Sequence, residues 1–207
     1  YKKALEKKLW SLEVVNIRDY SIDKHKTVDD TPFGGGSGML MRPDIIANSL
    51  DKNILSKNEK IIYLTPKGKK FDQVYAKKIS EKNINIICGH FEGVDERLLE
   101  TRNIEEVSVG DFLLSGGEVA ALVVIDTIVR LIPGVLGNSD SLKDETFEKN
   151  LLEYPQYTKP QKWEKKDVPE VLLSGDHAKI KSWRLSQSED ITRRRRPDLW
   201  EIYKKNK

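Results

Sequence analysis

Three glycine-bearing stretches and one acidic pair hold the residue types that could do chemistry. The first stretch is Asp29-Asp30-Thr31-Pro32-Phe33-Gly34-Gly35-Gly36-Ser37-Gly38. Four glycines in five residues leave the backbone bare and free to adopt positive φ. Such a loop can bring N–H groups to a phosphate or let a base lie flat. It is not a P-loop, because no Lys-Ser/Thr pair follows, and no strand leads directly into it as the dinucleotide fingerprint requires. A flexible surface loop is the plain alternative. Lys24, His25 and Lys26, just upstream, favour contact with nucleic acid over that alternative.

The second stretch runs from Cys88 through Gly89, His90, Phe91, Glu92 and Gly93 to Arg97. It starts at the end of an apolar run, the place where ligands bind in open α/β sheets. Asp95 and Glu96 are explained by compensation of the next helix dipole, but that does not explain Glu92 between two turn glycines. His90 by itself reads as a surface residue. The third stretch, Val109 to Glu118, holds Gly110, Gly116 and Gly117, and its bare backbone could read a flat heterocycle or only allow tight packing. Asp126 and Arg130 lie four apart on one helical face. They form an ordinary surface ion pair, or Arg130 on an apolar helix has a partner elsewhere. Asp144-Glu145-Thr146-Phe147 is a solvated acidic segment unless it folds over a site.

The elements that position these loops follow from periodicity. Residues 13–17, 60–65, 84–88, 106–109 and 112–115 read as strands. Phe71, Val74, Tyr75 and Ile79 repeat at helical spacing over 71–82, so strand, helix and strand predict a parallel βαβ unit. Ser115-Gly116-Gly117-Glu118 matches a capping box ahead of an apolar helix that ends near Ile132, before Pro133-Gly134. Residues 138–149 are polar and acidic. Residues 175–189 read as a helix with Ile180, Trp183 and Leu185 as candidate buried positions, Arg193 to Arg196 follow it, and Pro197 opens a last short helix. The layout is an α/β domain over 1–138, a linker over 139–158 and a small helical basic domain over 159–207.

Composition bounds the function. The chain has 207 residues, 38% hydrophobic and 33% charged, which argues against a disordered chain. The longest apolar stretch, Val119 to Ile132, is too short and too charged to span a bilayer. A single cysteine, Cys88, excludes an internal disulfide and a cysteine zinc cluster, so a reducing cytoplasm is expected. No metal-ligand cluster is visible. Net charge is +3 but uneven. Residues 159–207 hold 14 Lys/Arg against 8 Asp/Glu, and residues 1–158 hold 22 against 25. A mildly acidic body with a basic tail suits a polyanionic partner.

Taken together, these stretches resemble the bacterial tRNA (guanine-N1)-methyltransferase family. The resemblance rests on Arg18-Asp19-Tyr20, Asp23 to Met39, Gly89 to Arg97, Val109 to Glu118 and Ile132 to Gly137. It continues through Leu151 to Thr158, Val168 to Ala178 and Arg196 to Leu199, in family order. It implies an α/β fold with a SPOUT-type trefoil-knotted parallel sheet, followed by a small helical C-terminal domain. It implies a cytoplasmic homodimer that methylates N1 of guanosine 37 of tRNA with S-adenosylmethionine. The implied donor loops are Leu64, Thr65 and Pro66; Gly89, Phe91 and Glu92; and Val109, Gly110, Asp111, Phe112, Leu113 and Leu114 with Gly116 and Gly117. His25, Gly34, Gly35, Gly36, Arg193 and Arg194 are the expected tRNA contacts.

The implied mechanism needs a base for the N1 proton and a cation for the charge growing on O6. Arg130 takes the second role. The family's acid, two residues before a Phe, aligns with Glu145, and Asp144 is its neighbour, so both are candidates for the base. Methyl transfer from a sulfonium needs no metal, while Mg²⁺ is compatible with the RNA or the carboxylates. Two further departures stand out. His90 occupies a position where the family has Arg. The family also opens with an apolar strand and a Phe-Pro segment, whereas Tyr1 aligns inside its first helix, so the first strand is expected either to be absent or to precede Tyr1. The rival reading is a non-catalytic RNA-binding protein on the same fold.

Overall fold

The computed structural model describes residues 2–54, 56, 58–136, 146–147 and 150–206. They belong to two compact units, Tyr1–Gly137 and Asn138–Lys207. The first unit holds helix α1 (Lys2–Glu6), a 3-10 turn (Ile17–Tyr20), strands β1 (Asp29–Asp30) and β2 (Leu40–Met41), then α2 (Pro43–Asn53) and β3 (Lys60–Lys70). It continues with α3 (Gln73–Ile79), β4 (Ile84–Ile87), α4 (Glu96–Thr101), β5 (Glu105–Ser108) and α5 (Gly117–Val129). The sheet is parallel with order β4-β3-β5. The expected βαβ unit is therefore present. Its helix is shorter than 71–82, because Asp72 caps it by accepting from Tyr75 N–H at 2.8 Å.

The alternation of β3 divides the core. Ile62 and Leu64 face Tyr75, Ala76 and Ile79 of α3 and Ala120, Ala121, Val124 and Ile128 of α5. Tyr63 faces the other way, with Ile46 and Leu50 of α2 and Leu98 of α4. Helices cover both faces, which is why these strands read as continuous apolar runs. Ile62 and Val124 have no exposed surface, and truncating Ile62 to Ala would cost about 2–5 kcal/mol.

Several expectations are corrected. Residues 13–17 form no strand: Val14 is 86% exposed, and the chain passes into the 3-10 turn, where Asn16 accepts from Arg18 N–H at 3.1 Å. Residues 112–115 join no ladder, and the sheet ends at Ser108. The capping box is not formed. Gly116 is the N-cap of α5 with no side-chain cap bond, because the Glu118 carboxylate is engaged by His90. Helix α2 was not expected from the sequence. Its signal was Pro43 at the first helical position, followed by Ile45, Ile46, Ser49 and Leu50 on one buried stripe.

The second unit holds a hairpin of β6 (Lys162–Trp163) and β7 (Lys166–Asp167), then α6 (Glu170–Leu173), α7 (His177–Arg195) and α8 (Pro197–Lys205). Asp176 caps α7 by accepting from Ala178 and Lys179 N–H. The helix extends beyond residue 189 through Arg195, since nothing there breaks it and Asp190 pairs with Arg193 and Arg194 one turn on. Leu185 is exposed, Ile180 and Trp183 are half-buried, and the residues buried instead are Ser188 and Thr192. Thr192 Oγ1 donates to Ser188 O at 2.6 Å and accepts from Leu152 N–H at 2.8 Å. Pro197 opens α8 as expected. No helix among the described residues is long and apolar enough to cross a membrane.

Candidate active site

One loop is an excursion within β3 after Leu64, and two more follow the carboxyl ends of β4 and β5. At β3, Leu64 pairs with Val107, residues 65–68 leave the ladder, and Lys69 returns to the same Val107. Leu64, Thr65 and Pro66 thus lie on an excursion pinned at both ends. The return requires Gly68, where a Cβ would stand 2.3 Å from Val107 N. Sequence reasoning missed this residue, although a glycine inside a β-rich run signals close backbone approach.

Beyond β4, Gly89 packs against Tyr63, with a Cβ there falling 2.7 Å from the ring. Residues 90–93 form a turn closed by Gly93 N–H to His90 O at 3.0 Å. Phe91 sits in it at φ 57° and is 56% exposed, a strained backbone of the kind that clusters at functional sites. The turn is stitched to the stretch after the glycine-rich loop. Glu92 N–H donates to Met39 O, Met41 N–H to Gly93 O and Asp95 N–H to Met41 O. Gly38, at φ 96°, leaves room for the Glu92 carboxylate, which a Cβ would meet at 2.5 Å. Glu92 therefore has a structural neighbour that Asp95 lacks. Asp95 is the N-cap of α4, as dipole compensation predicts.

Beyond β5, Ser108 Oγ and Gly110 close a tight turn. Phe112, Leu113 and Leu114 then lie exposed, with Val109 half-buried and Asp111 exposed beside them. The chain returns against the β4 loop: Gly117 N–H donates to Gly89 O at 2.9 Å, and Gly116 bridges His90. His90 Nε2 lies 2.5 Å from Glu118 Oε1. The hydrogen bond from His90 holds the Glu118 carboxyl below its ordinary range. His90 is thus a clasp between two loops, a role that its reading as a surface residue did not include. Cys88, beside it, has its thiol pushed up by burial and then by the Glu118 charge, so it is a poor nucleophile.

The other expected site residues lie elsewhere or outside the described residues. Gly34, Gly35 and Gly36 have φ of 90°, 79° and 126° with open space around them. His25 is exposed, its N–H held by Asp23 Oδ1 at 2.8 Å. Arg130 is the half-buried C-cap of α5, about 20 Å along the helix from Gly117 at 1.5 Å per residue. Arg193 and Arg194 belong to the second unit and pair with Asp190 at 2.8 Å each. Asp144 and Glu145 lie outside the described residues. Among the described residues no group of three or more His, Cys, Asp or Glu could hold a metal ion. An open hollow lined by Ser56, Glu59, Glu81 and Asn83 lies at the amino ends of β3 and β4, the wrong end for a ligand in a parallel sheet.

The family model described as tRNA (Guanine-1)-methyltransferase TrmD matches residues 1–202. A tRNA (guanine-N(1)-)-methyltransferase of Pelagibacter ubique (strain HTCC1062) is 70% identical over 207 residues, covering 100% of this chain and 90% of the relative. Its namesake in Bartonella tribocorum is 53% identical over 205 residues, covering 99% and 88%. That of Wolbachia pipientis subsp. Culex pipiens is 55% identical over 202 residues, covering 95% and 87%. The ordered loops and the full-length match lead to one conclusion: the chain belongs to the tRNA (guanine-1)-methyltransferase TrmD family.

Proposed function

We propose that this chain methylates N1 of guanosine 37 in tRNA, with S-adenosylmethionine as donor, in the cytoplasm. The observation that carries the reading is the junction at the sheet's carboxyl edge, where Gly117 meets Gly89 and His90 meets Glu118. The residues present suit the donor. Phe91, Phe112 and Leu114 offer exposed apolar surface, and the backbone of 109–117 offers hydrogen-bonding groups to a flat heterocycle. Glu92, Asp111 and Glu118 supply negative charge near a cationic ligand.

When bound, the donor supplies a methyl group already activated by its sulfonium. Guanine N1 carries a proton, and its lone pair is free to attack only as that proton leaves. Glu145, with Asp144 as the alternative, takes the proton onto a carboxylate oxygen. Arg130 stabilises the negative charge that grows on guanine O6. His90 and Glu118 hold the second and third loops together so that the reacting atoms stay aligned. Mg²⁺ is assigned no step.

We further propose a SPOUT-type knotted sheet and a homodimer. Val119, Leu122 and Val123 expose an apolar stripe on α5 that continues to Asp126 and Arg130. An apolar patch of this kind on a helix favours a partner surface. Arg130, at the far end of α5 from its own donor loops, is best placed to serve the site of a second copy. The test is methyl transfer to tRNA transcripts with guanosine 37 present or replaced, beside calorimetry with S-adenosylmethionine. Transfer only to guanosine-37 transcripts is expected. Equal transfer to both sinks the position, and absence of donor binding leaves an RNA-binding protein.

A further inference from the structure

All four strand residues of the β6–β7 hairpin are exposed. Lys162 is in register with Asp167 and Trp163 with Lys166. The two turn residues, Glu164 and Lys165, have φ of 47° and 63°. A turn with two left-handed residues suits Asn-Gly, and for these side chains it is strained. Strand alternation splits the hairpin into two faces. Lys162 and Asp167 share one, with opposite charges in register. Trp163 and Lys166 share the other, next to the turn. Trp163 is 63% exposed, so a large indole lies open to solvent on the face it shares with Lys166. Lys159, Lys162, Lys165 and Lys166 fall within eight residues that hold one acid, Glu164.

We propose that the Trp163–Lys166 face is an RNA contact. A base stacks on the indole of Trp163, and Lys165 and Lys166 hold the flanking phosphates. An aromatic plane accepts any unstacked base, and adjacent ammonium groups gain by releasing counterions from the RNA. The charge decides the partner: an apolar protein surface would desolvate these lysines without return, whereas phosphates pair with them. The proposal rests on the reading that the chain acts on tRNA.

The experiment is tRNA binding by fluorescence anisotropy on the full chain at several salt concentrations, with circular dichroism to confirm folding and a methyl-transfer assay in parallel. Trp163→Ala weakens binding about tenfold, Trp163→Phe restores most of it, and Trp163→Leu does not. Lys165→Ala and Lys166→Ala each flatten the log–log salt dependence by about one unit. Calorimetry with S-adenosylmethionine gives wild-type donor affinity throughout. Equal binding by the Leu and Phe variants overturns stacking, and unchanged binding by Trp163→Ala overturns the surface. If wild type transfers no methyl group while Trp163→Ala still loses tRNA affinity, the contact stands and the enzymatic reading falls.

Discussion

Substituting Gly117 by Ala tests whether the donor loops depend on a close backbone approach. The added Cβ would stand 2.7 Å from Cys88 Cα and 2.8 Å from Gly89 N. Both are backbone atoms at the end of the central sheet, so no side chain can swing aside. Overpacking of this kind costs about 1–3 kcal/mol. The Gly117 N–H to Gly89 O bond, 2.9 Å long, would lengthen or break, at about 0.5–1.5 kcal/mol. Alanine returns at most about 1 kcal/mol through helix propensity. The net loss is about 1–3 kcal/mol, or a fall in Tm of roughly 3–10 °C for a chain of this size. Because the strain parts the second loop from the third, donor affinity drops by about tenfold or more. Gly116→Ala is the control. There the Cβ meets the ends of the Glu118 and His90 side chains, which can rotate away, so its Tm changes less. Thermal melting and calorimetry with S-adenosylmethionine read both effects. A Gly117→Ala protein that melts with wild type and binds donor normally would refute the reasoning.

Four further outcomes are expected. Glu145→Gln lowers single-turnover methyl transfer by about 10²–10⁴ with donor and tRNA affinities kept, and Asp144→Asn does less; the reverse ranking in a quench assay moves the base to Asp144. Asp190→Asn releases Arg193 and Arg194 from their ion pairs and tightens tRNA binding, whereas Ala at both arginines flattens the salt slope by about one unit for each phosphate no longer neutralised. Asp23 is held at about 2, against an ordinary 3.8, by the Ser21 hydroxyl and by the Thr27 and His25 amides. A depressed carboxylate stabilises above its unfolded value and stops doing so as pH falls through the folded one. The 21–27 loop therefore loosens between pH 3.8 and about 2, visible in the amide NMR shifts of His25 and Thr27 and absent in Asp23→Asn. His90→Ala lets the Glu118 carboxyl rise towards its ordinary range, measured by carbon-13 NMR titration, and weakens donor binding by less than about fivefold, since an exposed pair is worth under about 1 kcal/mol.

What the sequence disclosed depended on range. Strands β3 and β4 and the helix between them were legible because their apolar periodicity is local and strong. So was Pro197, whose fixed φ and missing N–H suit only a helix start. The failures involve partners distant in the chain. Glu118 sits three residues after Ser115, as a capping box requires, yet His90, 28 positions away, takes its carboxylate. Val14 and Val15 have strand propensity but no neighbouring strand among the described residues to satisfy their backbone. Leu185 has the right spacing for burial, but α7 turns Ser188 and Thr192 inward, since Thr192 satisfies the Leu152 amide. For the candidate site, the glycine loops were found because bare backbone is visible in composition. Gly68 was passed over because its role depends on β5, nearly forty residues later. The base rests on resemblance alone, as Asp144 and Glu145 lie outside the described residues.

The excursion of β3 also bears on how the gene can change. Val107 pairs with Leu64 on the way out and with Lys69 on the way back, so residues 65–68 run between two fixed posts. One codon added or removed there cannot be absorbed by sliding the strand. A one-residue slip in the returning segment would exchange the faces of Lys69 and Lys70 and place a side chain where only Gly68 fits. A length change that moves another residue into the place of Gly68 is therefore disfavoured, although loops are ordinarily where insertions are tolerated. Deep insertion scanning should show depletion at 65–68 for insertions that displace Gly68.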